Sequence, residues 1–150
     1  MICNLKKHRC QQLLNENYIG HLGYVFKNKP FVLPITCYYN ILKNTIICYS
    51  GEGHKIKALR ANKNVSLEVA EISSVNKWQC VVVEGIYREF QGSTAKLNLH
   101  NFFEGVKNLI QKKEGKNPQF ISEFSSKIYK QGPPVVFEIA ISDVSGRERK

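Results

Sequence analysis

The sequence predicts an α+β domain, mainly β, in which short antiparallel strands close into a small barrel flanked by helices. Three observations predict it. Six short segments alternate apolar and polar residues, or are rich in branched ones, and turn chemistry separates them. Only three stretches have helical spacing, and no strand–helix–strand order repeats as a parallel sheet would require. The chain is 150 residues long and 43% apolar, enough for one hydrophobic core without disulfides. Short antiparallel strands remove their exposed edges by curling closed, so a barrel is the economical arrangement.

Taken in order, residues 6–17 predict an amphipathic helix with Leu13 and Leu14 on the buried side. Residues 18–27 read as a strand, and Asn28, Lys29 and Pro30 as a turn. Residues 31–39 alternate, with Phe31, Leu33, Ile35, Cys37 and Tyr39 facing one way and Val32, Pro34, Thr36 and Tyr38 the other. A turn at 40–44 then leads to a strand over 45–49, which makes a hairpin. Gly51 and Gly53 break that strand, and residues 54–62 predict a short helix with Ile56 and Leu59 inward. Strands follow at 65–71 and 78–90, and Gly85 in the second marks a bulge or a close backbone approach. Ser93 or Thr94 can cap a helix running to about residue 113, with Leu99, Phe102, Phe103, Val106, Leu109 and Ile110 along one stripe. Residues 114–118 read as a loop, 120–129 fit neither period, and 135–142 alternate as a final strand. No repeat or linker divides the chain, so one domain is expected.

Composition excludes several classes. No apolar run reaches the roughly 18 residues of a membrane span, and the N-terminus lacks the pattern of a secretory signal. Five scattered cysteines form no CxxC pair and no zinc spacing. Cys37, Cys48 and Cys80 lie in apolar runs and are expected to act as small core hydrophobes. The expected compartment is the cytoplasm. The net charge of +10 is spread along the chain, which fits a solvated surface, a phosphorylated small ligand or nucleic acid without choosing among them.

The segment Tyr49-Ser50-Gly51-Glu52-Gly53-His54-Lys55 carries the most chemistry. It leaves a strand, turns through two glycines and enters a helix, whose first amides have no internal acceptor. A helix start favours acidic side chains, yet His54 and Lys55 occupy the first turn, with Lys57 and Arg60 close behind. A bound phosphate would convert that unfavourable placement into charge-assisted hydrogen bonds, and Ser50 could add a hydroxyl. The competing reading is a polar turn before a basic surface helix. Pro34 in mid-strand removes a ladder donor, which fits an edge, a bulge or a surface against which a flat ligand lies. Thr36, Tyr38 and Tyr49 bring hydroxyl and aromatic groups nearby, although Tyr38 also fits ordinary strand packing.

Four stretches in register give the chain a family likeness: residues 20–25; 30–39, with Val32-Leu33-Pro34-Ile35; 50–55, followed by Leu59 and Asn62; and 78–85. The close of the chain, through Ser145-Gly146-Arg147, fits as well. The sequence resembles the pyridoxamine 5′-phosphate oxidase-like flavin-binding split barrels, in the group related to nitroimidazole-resistance proteins. The resemblance implies a homodimer of six-stranded antiparallel split barrels with two flavin sites at the subunit interface. It implies that Leu33, Pro34, Ile35, Thr36 and Tyr38 lie along the flavin ring. Tyr49, Ser50, Gly51, Gly53, His54 and Lys55 would surround the phosphate, and Trp78, Cys80 and Val81 would reach in from the partner. FMN is the cofactor expected by default, with FAD accommodated by the same anchor; some relatives bind haem or a deazaflavin instead. Three positions depart from the family pattern. His54 stands where Arg is common, which predicts that phosphate affinity weakens as pH rises. Tyr49 stands where many resistance proteins have His, and Cys80 where Ser is common.

The leading functional expectation is a flavin-dependent oxidoreductase that passes electrons to a small acceptor such as a nitroaromatic compound. The alternatives are a flavin- or haem-binding module without turnover and a basic nucleic-acid-binding barrel, the latter supported mainly by charge. No catalytic acid or base is assigned, and His21 within a strand is read as structural.

Overall fold

The computed structural model describes residues 1–115 and 134–150. The expected loop from residue 116 onward and the ambiguous stretch at 120–129 lie outside the described residues. The elements are β1 (Ile2–Asn4), α1 (Lys7–Glu16), β2 (Ile19–Phe26), β3 (Lys29–Asn40), β4 (Thr45–Ser50), α2 (His54–Ala61), β5 (Asn64–Ser74), β6 (Lys77–Glu89), α3 (Gly92–Glu114) and β7 (Val135–Arg149). Six strands close into a ring in the order β7–β4–β3–β2–β5–β6, with β6 returning to β7, and every pairing is antiparallel.

The expected strand count of six therefore holds for the ring, while the described residues contain a seventh strand. β1 pairs the outer edge of the β7 tail, from Ile2 opposite Arg149 to Asn4 opposite Arg147. β7 itself continues beyond the expected end at residue 142. Its tail, flanked by β1 and β6, mixes polar residues on both faces and leaves no alternation to read. The turn between β2 and β3 also falls one residue earlier than expected. Lys27 and Asn28 carry it, at φ 51° and 63°, between the paired residues Phe26 and Lys29. Two central residues with positive φ match the twist of a tight hairpin. Pro30 is thus inside the strand, opposite Val25.

At Gly85 both sequence expectations are met. The register slips between Glu84 and Gly85, and a Cβ on Gly85 would stand 2.4 Å from the Ala140 carbonyl oxygen. The bulge bends β6 over β7 where the ring closes. Inside the ring lie Leu22, Leu67, Val81, Val83, Phe137 and Ile139, with Leu13 and Leu14 of α1 and Ile56 and Leu59 of α2 packed into the same core. A second cluster lies outside the ring, where Leu99, Phe102, Val106 and Ile110 of α3 cover Ile47, Tyr49 and Val136. Alternation places Cys48 inward and Ile47 and Tyr49 under α3, so β4 is buried on both faces.

Candidate functional site

Where β4 parts from β3, the ring is split. The two strands pair only from Cys37 opposite Cys48 to Asn40 opposite Thr45. Cys37 donates its backbone N–H to the Tyr18 carbonyl at 2.8 Å, on the β2 side. Because backbone groups alternate along a strand, Ile35 and Leu33 share that direction, whereas Thr36, Pro34 and Val32 turn theirs to the opposite edge. Among the described residues no strand pairs that edge. Pro34 loses nothing there, since the N–H it lacks would have pointed into the gap. Pro34 and Val32 are exposed and Thr36 is half-buried, while Leu33 and Ile35 face the core. Tyr38 packs under α3, so close to its backbone that a Cβ on Gly105 would sit 2.2 Å from the ring.

Residues 51–53 leave this gap and enter α2. Gly53 is extended, with φ 171° and ψ −165°, and a Cβ there would meet nothing within 4 Å. The first backbone bond of the helix runs from Lys57 N–H to the Gly53 carbonyl at 3.1 Å. The amides of His54, Lys55 and Ile56 find no acceptor among the described residues. Ser50 is buried and donates its hydroxyl to the Gly51 carbonyl at 2.8 Å. Lys55 is half-buried, and burial lowers its pKa, against a smaller opposing effect of Cys48. No carboxylate of the described residues pairs with it. The corner therefore presents open space, unengaged amides and a partly desolvated cation.

The remaining candidates take varied places. Tyr49 contacts Phe102 and Phe103 edge to face, at 4.9 and 5.2 Å between centroids, and burial raises its phenol pKa. Its side chain is packing, and what it offers the gap is backbone. Val81 is fully buried in the ring core, whereas Trp78 and Cys80 are half-buried on β6. Trp78 lies opposite Arg149 and Glu89 opposite Phe137, which in turn pairs with Cys48 next to the corner. The length of β6, on the order of 30 Å at a strand's rise per residue, thus separates Trp78 from residues 50–55 within one chain. Trp78 instead lines a cleft of about 560 Å³ with Arg9, Glu71, Gln79, Glu148 and Arg149.

Two features were not visible in sequence. Tyr24 places its hydroxyl 3.0 Å from His54 Nδ1, and the Phe26 and Phe31 rings stand 5.1 and 4.9 Å from the imidazole. Arg60, expected to add to the positive charge at the corner, is instead taken up by carboxylates. It grips Glu52 through two bonds of 3.0 and 2.8 Å and Glu89 through two of 2.8 and 3.0 Å. Cys37 and Cys48 behave as expected of core hydrophobes, burial pushing the Cys37 thiol up to about 12 and raising Cys48 as well, whereas Cys80 is only half-buried. His21 faces outward, with Nδ1 3.5 Å from Glu68 across the β2–β5 pair. No cluster able to hold a metal ion exists among the described residues, and none of the described helices is long and apolar enough to cross a membrane.

Comparison with known proteins agrees with this architecture. The family model described as pyridoxamine 5′-phosphate oxidase matches residues 6–148. An uncharacterized protein of Rhizobium meliloti is 34% identical over 85 residues, a stretch covering 57% of this chain and 55% of that protein. The match thus spans about half the length of that curated relative. Among solved structures, a FAD-binding protein from Mesorhizobium loti is 28% identical with a TM-score of 0.77, covering 100% of this chain and 99% of that one. A candidate 5-nitroimidazole antibiotic resistance protein from Bacteroides thetaiotaomicron shares the fold at 15% identity and a TM-score of 0.72, covering 99% of this chain and 87% of that one.

Proposed function

The chain belongs to the pyridoxamine 5′-phosphate oxidase family, and from that premise we propose that it binds a flavin nucleotide and acts as a flavin-dependent oxidoreductase on a small acceptor such as a nitroaromatic compound. The observation that carries the reading is the junction of β4 and α2. There, among the described residues, three amides without an acceptor, the open approach at Gly53 and the half-buried Lys55, which no carboxylate pairs, meet beside an edge of β3 that no strand pairs. The first set suits a phosphate. The second suits the polar rim of a flat ring, with Thr36 and the backbone of Val32 and Pro34 turned toward it. Bound flavin would supply the electron transfer, while the chain positions the ring and shields it from water.

FMN is the simplest cofactor for this corner. FAD is included because the similar Mesorhizobium loti protein binds it, and the same grip would hold the phosphate next to its riboflavin part. The reading includes a homodimer. Trp78 and Cys80 lie too far along β6 to reach the corner of their own chain, so a two-fold partner would bring them to it. The outer face also carries exposed Val32 and Ile86, at 72% and 39%.

The test is spectroscopic. Purified protein, as isolated and after titration with FMN and FAD, is expected to show the visible bands of bound oxidised flavin. Protein that stays colourless and leaves both flavins free sinks the proposal. NAD(P)H consumption with a nitroaromatic acceptor then separates an enzyme from a flavin-binding module that does not turn over.

A further inference from the structure

We propose that Tyr24 is a positioning residue for the phosphate grip: its hydroxyl, donating to His54 Nδ1, keeps the ring proton on Nε2, so that His54 offers an N–H to the anion in its neutral as well as its charged form. The inference rests on the flavin reading above and deepens its phosphate end. It also revises the expectation that exchanging Arg for His54 makes the grip fade as pH rises.

The geometry is specific. Tyr24 is 5% exposed, and its hydroxyl has His54 Nδ1, at 3.0 Å, as its one hydrogen-bond partner among the described residues. A neutral imidazole has one donor and one acceptor nitrogen, and the bond made by one nitrogen decides which is which. If Nδ1 carried the proton, it would donate to the phenol oxygen and leave the O–H of a buried tyrosine with no acceptor among the described residues. If the phenol donates, both groups are satisfied and the proton sits on Nε2. Nε2 has no partner among the described residues. Ring flipping, which would put Cδ2 in place of Nδ1 and Cε1 in place of Nε2, is opposed by packing. Phe26 and Phe31 meet the imidazole at 85° and 64°, and Tyr24 is stacked on Phe31 at 5.3 Å and 13°. Once His54 is protonated both nitrogens donate, Nδ1–H to the phenol and Nε2–H outward, so the outward donor survives either state.

Other charges surround the ring on each neighbouring element. Lys27 follows β2 in the turn, with Nζ 5.4 Å from the Phe26 ring, and Lys29 opens β3. Glu52 precedes α2 and is held by Arg60, while Lys55 and Lys57 lie on α2. None of them hydrogen-bonds His54, so the tautomer is left to Tyr24.

Two readouts test this on the full chain. In flavin-free protein near pH 8.5, where histidine is ordinarily neutral, ¹⁵N resonances should report His54 as the Nε2–H tautomer. Tyr24→Phe, which keeps the stacked ring and removes only the hydroxyl, should give a mixture. A wild-type Nδ1–H ring, or a balance unchanged in Tyr24→Phe, overturns the proposal. In binding, Tyr24→Phe should weaken FMN near pH 8.5 by the factor its tautomer mixture sets, about twofold for an even mixture, and leave it unchanged at a pH where the ring is protonated. Riboflavin, which lacks the phosphate, should be unaffected. An equal loss at both pH values, or an equal loss for riboflavin, marks Tyr24 as packing alone and overturns it. In a His54→Gln background Tyr24→Phe should add no pH-dependent loss, and a further loss there counts against it. The two ideas fail separately. An Nε2–H ring in a protein that binds no flavin sinks the flavin reading, whereas tight FMN binding with an Nδ1–H ring sinks only the role of Tyr24.

Discussion

Lys55 ties folding to the proposed binding through a single residue. Its ammonium is partly desolvated and finds no carboxylate among the described residues, so burial lowers its pKa from 10.5. The unfolded chain then holds that proton more firmly than the folded one. Stability contributed by this group is therefore reduced at neutral pH and recovers as pH rises through the lowered folded value toward 10.5. A bound phosphate would remove the penalty by supplying the missing charge. Lys55→Met is accordingly expected to raise the thermal midpoint of the flavin-free protein at pH 7, by up to about 1 kcal/mol in stability. It should weaken FMN affinity about tenfold or more. Scanning calorimetry and flavin titration on one preparation check both signs, and a midpoint that falls together with the affinity would make Lys55 an ordinary structural cation. The two glycines and the cation were legible in sequence because a turn and a helix start are local events. The Tyr24–His54 pair was not, because its members lie on β2 and α2 and only the packing of one on the other brings them together. Arg60 misled for the same reason: linear proximity to Lys55 says nothing of Glu89, supplied by β6.

Among the elements, β6 and β7 carry the greatest demand, since their pairing closes the ring and sets where the corner sits. Alternation made β3, β5 and β7 readable, branched and aromatic composition between turn signals gave β2, β4 and β6, and helical stripes gave α1, α2 and α3 nearly to their ends. What escaped was β1, too short at three residues to show a period, and the β7 tail, whose two faces are alike in polarity. Gly85 was legible as an anomaly, and its reason is now specific. Any Cβ there meets the Ala140 carbonyl at 2.4 Å and the Ile139 side chain at 2.7 Å, and the first is backbone that cannot swing aside. Gly85→Ala should therefore cost about 1–3 kcal/mol of stability, the range for overpacking a tight site. Chemical denaturation measures it. An unchanged midpoint would mean that the ring opens at the bulge without penalty. Because Glu89 at the end of β6 also holds Arg60, and Arg60 holds Glu52 in the turn, strain in β6 has a short route to the corner.

At the scale of the molecule, the proposed dimer is a consequence of strand length. The corner proposed to hold the phosphate lies at one end of β6 and β7, and Trp78 with its cleft at the other, on the order of 30 Å away. Nothing in the one-dimensional pattern reports that separation, because it depends on how β6 lies on β7 after closure. If flavin is held by the corner of one chain and the Trp78 region of the next, defects in the two regions should complement each other. Lys55→Glu and Trp78→Ala would each lose flavin as pure homodimers. When the two chains are unfolded together and refolded in equal amounts, each mixed dimer has one intact site and one carrying both defects. Random pairing then restores flavin to about one site for every four chains, the statistics of a two-fold dimer. Size-exclusion chromatography with detection at the flavin absorption band would place the recovered colour in the dimer peak. Recovery cannot arise if each chain completes its own site, since no mixture of two defective self-contained sites yields an intact one. A mixture as colourless as its components would therefore return Trp78 to its own chain, and its cleft would then need a different occupant.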